Sequence, residues 1–124
     1  MSTPPMPSEA QLEILDLLWR DQPATVQALH DRLGSRRQVS YNTVLTQLQR
    51  MTKAGLVTRN TDRRTHTYEA ATRREEIERR LFGRLADTAF GGSTINLALR
   101  ALGNETPTAE ELDELQAWIN RQKK

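Results

Sequence analysis

The side chains with the greatest capacity for chemistry lie between positions 36 and 73. This segment holds eight cations (Arg36, Arg37, Arg50, Lys53, Arg59, Arg63, Arg64, Arg73) against two anions, Asp62 and Glu69, a local balance of +6. Residues 1–35 carry two cations and five anions, and residues 74–124 carry eight and nine, so the flanks stand at −3 and −1 and the chain at +2. A concentrated positive field in a nearly neutral chain suits a polyanionic partner. Inside it, Asn42, Thr43, Thr46 and Gln47 bring amides and hydroxyls able to hydrogen-bond base edges. Arg50 and Lys53 follow them, with Arg63 and Arg64 further on and Arg36 and Arg37 just before, as cations able to neutralise phosphates.

Other chemistries find little support. Cysteine is absent, so disulfides, thiolate metal sites and thiol redox chemistry are excluded. His30 and His66 are the only histidines, and neither has carboxylates at metal-ligand spacing. There is no nucleophile–base pair and no phosphate-binding loop, so no enzyme, metal or cofactor is expected. Six aromatic residues in 124 leave little material for a large cavity.

The polar and basic residues need a frame. Ser40 has the character of an N-cap, with Val39 and Val44 at hydrophobic-staple spacing. Val44, Leu48 and Met51 form one apolar stripe, and Gly55 follows as a terminating glycine. Residues 41–54 therefore form a helix with early polar residues and later cations on its outer side, a pattern suited to entering a DNA major groove N-terminus first. An ordinary solvated amphipathic helix would show a similar pattern, so the neighbours must decide.

Before this helix, Ser8 and Gln11 have capping-box spacing and open a helix from Glu9 to about Arg20, with Leu12, Leu15, Leu18 and Trp19 inward and Pro23 beyond its end. Thr25 caps a second helix with Val26, Leu29 and Leu33 inward, His30 on its outer side as a surface polar residue, and Gly34 closing it. After it, Leu56–Asn60 and Arg64–Ala70 read as strands joined by the turn-forming Asn60–Arg63. A hairpin directly after a helix-turn-helix makes a winged helix, with Arg63 and Arg64 at the wing tip.

The remaining chain reads as three helices. Thr72 with Glu75 is a capping box for a helix of roughly 16 residues, Phe90-Gly91-Gly92 breaks it, Ser93 caps a short apolar helix, and Thr108 with Glu111 opens the last. These helices are too few to bury their own Leu, Ile, Phe and Trp. Leu81, Leu85, Phe90, Ile95, Leu99, Leu102, Leu112, Leu115, Trp118 and Ile119 are therefore expected to pack against a second copy. The fold class is mainly α with a small β-hairpin: a disordered N-terminus over 1–7, a winged-helix DNA-binding domain over 8–71, and a three-helix dimerisation region over 72–124. No window approaches a membrane helix, and residues 1–7 lack a signal peptide's apolar core, so a cytoplasmic protein with no membrane partner is expected.

At this point the chain resembles a known family. Ser8–Trp19 looks like the first helix, Ser40–Val57 like the recognition helix and Arg64–Tyr68 like the wing of the penicillinase repressors, the BlaI, MecI and CopY type. The likeness runs from Ser8 over nearly the whole chain, including the acidic Thr108–Leu115. It implies a homodimeric repressor of palindromic double-stranded operator DNA. Thr43, Thr46 and Arg50 occupy positions that face DNA in that family. Asn42 stands where a longer basic side chain is common, and Gln47 where an apolar one is, so the operator preference is expected to be this chain's own. In the antibiotic-resistance members a membrane sensor's signal leads to cleavage of an Asn–Phe bond in the fifth helix. The corresponding bond here is Arg100–Ala101, which lacks that motif and argues against induction by a sensor protease. Copper sensing through cysteines is excluded. The competing reading from another class is a winged helix used for protein interaction, which would show no salt-dependent DNA affinity.

Overall fold

The computed structural model describes residues 4–123. Among them are six helices and one antiparallel hairpin: α1 (Glu9–Arg20), α2 (Val26–Gly34), α3 (Tyr41–Ala54), β1 (Val57–Asn60), β2 (Thr67–Ala70), α4 (Arg74–Ala89), α5 (Thr94–Leu102) and α6 (Ala109–Gln122). The chain clusters into two compact units, Met1–Leu81 and Phe82–Lys124.

In the first unit, local hydrogen bonds start each helix. Ser8 and Gln11 form the reciprocal capping box of α1, Thr25 accepts from the Ala28 N–H, and Ser40 accepts from the Thr43 N–H. Gly55 ends α3 at φ 83°, a left-handed conformation in which a β-carbon is strained. The apolar faces of these helices meet in one core of Ile14, Leu15, Leu18, Leu29, Leu33, Val44, Leu48 and Met51, closed by Leu56 just before β1 and by Val57 and Tyr68 from the hairpin. Leu15, Leu18, Leu29, Leu48 and Met51 are each 0% exposed.

The hairpin is shorter than expected. Its ladder runs from Val57↔Ala70 to Asn60↔Thr67, leaving Thr61–His66 as the tip. Arg64, Thr65 and His66 therefore lie in the tip rather than in β2. A contact from outside the hairpin accounts for where β2 is held: Ala24, between α1 and α2, pairs with Tyr68 through two backbone hydrogen bonds of 3.1 and 2.8 Å. The Gln22 side chain adds a third bond, accepting from the Ala70 N–H at 2.8 Å. At the tip, the Asn60 side chain accepts from the Asp62 N–H at 2.9 Å and tightens the turn.

One further expectation needs correction in this unit. Thr72 does not cap α4, which begins at Arg74. The indole of Trp19 donates to the Thr72 carbonyl at 3.0 Å, and the Thr72 hydroxyl is buried without a partner. The compact unit also extends past residue 71, because Ile77 is fully buried and Arg74 is held by Asp16. The N-terminal expectation falls partly on residues 1–3, which lie outside the described residues. Residues 4–7 form no helix or strand, but Pro7 is buried and Arg80 donates to the Pro4 carbonyl at 2.8 Å.

In the second unit, Gly91 and Gly92 turn the chain with φ 59° and 84°. Ser93 caps α5, and Thr108 with Glu111 forms a capping box on α6. Ala86 is the sole buried hydrophobic residue here among the described residues. Phe82, Leu85, Ile95, Leu99, Leu102, Leu112, Trp118 and Ile119 are exposed, while Leu81, at the end of the first unit, and Phe90 and Leu115 are half-buried. Arg100 and Ala101 are exposed on α5.

Candidate nucleic-acid interface

With Val44, Leu48 and Met51 in the core, the outward side of α3 is decided by helical rotation of about 100° per residue. Its centre carries Asn42, Thr46, Gln49 and Lys53, with Arg50 beside them, all exposed. Gln49, off the apolar stripe by sequence but not among the expected contacts, joins this face. Thr43 and Gln47 lie on one flank. The Thr43 and Ser40 hydroxyls are hydrogen-bonded at 2.8 Å, and the half-buried Gln47 accepts from the Gln11 amide at 3.2 Å.

The entry to α3 is braced from α2. His30 is half-buried rather than a free surface residue. Its Nε2 lies 2.8 Å from the Val39 carbonyl, and its ring meets that of Tyr41 edge-on at 6.0 Å between centroids. This fixes the residues on both sides of the Ser40 cap.

The cations fall into two sets. Arg36 and Arg37, expected as additional phosphate contacts, are engaged with α1. Arg37 bonds Glu13 at 2.8 Å and Arg36 reaches Asp16 at 3.4 Å. The cause is non-local: Glu13 and Asp16 sit one turn apart on α1 and face the loop that precedes α3. Asp16 also binds Arg20 at 3.2 Å and Arg74 at 2.7 Å, and Arg74 lies over the Trp19 ring at 5.6 Å. Partial burial works to raise the Asp16 pKa, but hydrogen bonds from Arg20 and Arg36 and the charges of Arg20 and Arg74 outweigh it, so the carboxyl lies below its ordinary value. The second set is Arg50 and Lys53 on α3, Arg59 on β1, and Arg63 and Arg64 at the tip. All five are exposed, and none forms an ion pair among the described residues. Arg59 was counted in the basic segment but not named as a contact. It faces outward although its cross-strand partner Tyr68 is buried.

An exposed helix face of amides, hydroxyls and cations beside a hairpin with three unpaired arginines is suited to a polyanion with readable edges. The protein-family model described as penicillinase repressor matches residues 7–121. The chain belongs to the penicillinase repressor family. This groups it with repressors rather than with enzymes. Among curated proteins, this family member is 42% identical over 65 residues to "Transcriptional regulator BlaI" of Mycobacterium tuberculosis strain H37Rv, a match covering 52% of this chain and 47% of that protein. The chain thus spans about half the length of that relative. It is 21% identical over 114 residues to "Methicillin resistance regulatory protein MecI" of Mammaliicoccus sciuri, covering 92% of this chain and 93% of that protein. Among solved structures, the DNA-binding domain of the repressor BlaI superposes with a TM-score of 0.54 at 22% identity, covering 61% of this chain and 93% of that one. That likeness supports the winged-helix fold.

Among the described residues, no three His, Cys, Asp or Glu side chains are grouped to hold a metal ion. No helix among them is long and apolar enough to cross a membrane.

Proposed function

We propose that this family member is a homodimeric transcriptional repressor that binds a palindromic operator, with α3 in the major groove and the wing on neighbouring phosphates. The observation that carries this reading is the second set of cations. Arg50, Lys53, Arg59, Arg63 and Arg64 lie exposed around a polar helix face with no ion-pair partner among the described residues, whereas Arg32, Arg36, Arg37 and Arg74 of the same unit are paired internally. Unpaired cations release condensed counterions on meeting DNA, whereas paired ones must first break a bond. Asn42, Thr43, Thr46, Gln47 and Gln49 are the side chains to read base edges or set the helix in the groove. Membership of a repressor family, and relatives named as regulators, agree with this assignment.

Dimerisation is supported by the exposed apolar faces of α5 and α6, where Ile95 and Leu99 are 59% and 61% exposed. A patch of Leu, Ile and Trp side chains left in water calls for a partner surface. A second copy satisfies that need and provides the two-fold symmetry that a palindromic site requires.

A gel-shift titration across salt concentrations tests the reading. Arg63→Ala and Arg64→Ala should each lower the salt slope of binding by about 1 and weaken binding to every sequence alike. Unchanged affinity and slope in the double variant would remove the wing from the interface. A half-site arrangement without two-fold symmetry, obtained by selecting bound sites from random DNA, would sink the dimer.

A further inference from the structure

We infer that Gln11 is a positioning residue that turns Gln47 into a donor-only reader of DNA, so that the base facing Gln47 must offer hydrogen-bond acceptors. The inference rests on the placement of α3 in the major groove. The backbone N–H of Ser8 can only donate. It donates to Gln11 Oε1 at 3.0 Å, and the Ser8 hydroxyl in turn accepts from the Gln11 N–H at 3.2 Å. The oxygen of the Gln11 amide is therefore turned toward Ser8. Its nitrogen is left to face α3, where Nε2 donates to Gln47 Oε1 at 3.2 Å. A donor on that side holds the Gln47 oxygen toward α1. The Gln47 Nε2, with two N–H groups, has no partner among the described residues.

This changes what Gln47 can read. A free glutamine recognises adenine with both ends of its amide, accepting from N6 and donating to N7. With its oxygen held by Gln11, Gln47 loses the accepting half of that pair. Guanine, with acceptors at both O6 and N7, then becomes the favoured partner, and cytosine, which shows only a donor, the least favoured. Ser8 and Gln11 lie outside α3, so a helix cap on α1 comes to set the base preference of α3.

One substitution should invert the relay without disturbing the cap. In Gln11→Glu the carboxylate still accepts from the Ser8 N–H, because glutamate serves a capping box as well as glutamine does. Its second oxygen can only accept, so it draws in the Gln47 amide nitrogen and turns the Gln47 oxygen outward. Sites are selected from random DNA with the full-length wild type, Gln11→Glu, Gln47→Ala and Gln11→Met. The wild type should favour guanine at one position of each half-site. Gln47→Ala and Gln11→Met should relax preference at that position alone, the first by removing the reader and the second by freeing it. Gln11→Glu should shift the preference there toward adenine or cytosine, on the order of tenfold relative to guanine. The added negative charge lowers affinity for all sequences alike and leaves this ratio untouched. If Gln11→Glu binds more weakly but keeps the wild-type preferences, Gln11 is only a cap and the inference fails. Unchanged preferences in Gln47→Ala overturn it as well. If the wild type selects no DNA, the operator-binding reading falls together with it, so the two failures are told apart.

Discussion

The two units have helices of similar local quality and opposite burial. In the first, α1 and α3 are capped by Ser8 and Ser40, and Leu15, Leu18, Leu29 and Leu48 are entirely buried. In the second, α5 and α6 are capped just as well by Ser93 and Thr108, yet Ile95, Leu99, Leu112 and Trp118 stand exposed. Caps and helical periodicity decide that a helix forms and where it starts. They do not supply the surface that covers its apolar face, which is where most helical stability arises. The first unit closes its core with a hairpin and a bridging residue, Ala24. Among the described residues the second has three helical segments and no such lid, so its stability is expected to depend on a second copy and therefore on concentration.

Leu48→Ala sharpens this contrast most. Leu48 is fully enclosed where α3 meets the core, so its loss should cost about 3 kcal/mol in chemical denaturation of the first unit. A cost below about 1 kcal/mol would mean that this core is not what holds the unit together. Next comes Leu99→Glu. The leucine is exposed on α5, so the change should leave the first unit's unfolding untouched. It should weaken self-association by about 2 kcal/mol or more, read by sedimentation equilibrium. Unchanged association would erase the proposed difference between the units.

What could be read from sequence alone follows the range of the forces involved. The caps at Ser8, Thr25, Ser40, Ser93 and Thr108 were legible because each hydrogen bond spans only three residues. The core stripe of α3 was legible because its period is that of the helix. Thr72 was misread as a cap because the Trp19 indole, 53 residues away, takes its carbonyl. The hairpin is shorter than its β-branched sequence suggests because the ladder stops at Asn60↔Thr67, where the Asn60 side chain takes the Asp62 N–H and Arg64–His66 are left without strand partners. Arg36 and Arg37 looked like free cations until α1 placed Glu13 and Asp16 beside them. Gln49 falls off the stripe of Val44, Leu48 and Met51 by the same periodicity, but its place on the outer face does not by itself assign it a contact.

Asp16 tests how the first unit secures its edge to α4. Its carboxylate binds Arg20, Arg36 and Arg74, and its pKa is held below the ordinary value. A lowered folded-state pKa stabilises the protein above the unfolded-state pKa, and that stabilisation is lost as pH falls through the folded value. Asp16→Asn should therefore cost about 1.5 kcal/mol near neutral pH, a modest figure because the arginines are partly solvated. Wild type and variant should converge in acid, below the ordinary carboxylate range. A difference that stays constant across that range would assign the effect to packing rather than charge.

Thr72→Val carries the smallest expected effect, and its sign is opposite. The Thr72 hydroxyl is buried where α1 meets the approach to α4, without a hydrogen-bond partner among the described residues. An unpaired buried hydroxyl costs stability, and valine replaces it with a methyl group of similar shape. The backbone carbonyl that receives the Trp19 indole is unaffected by the change. The variant should therefore be more stable by about 1 kcal/mol, raising the melting temperature of the first unit by several degrees. A loss of stability instead would show that the hydroxyl is satisfied in solution, and that the junction between α1 and α4 is wetter than the enclosed core beside it.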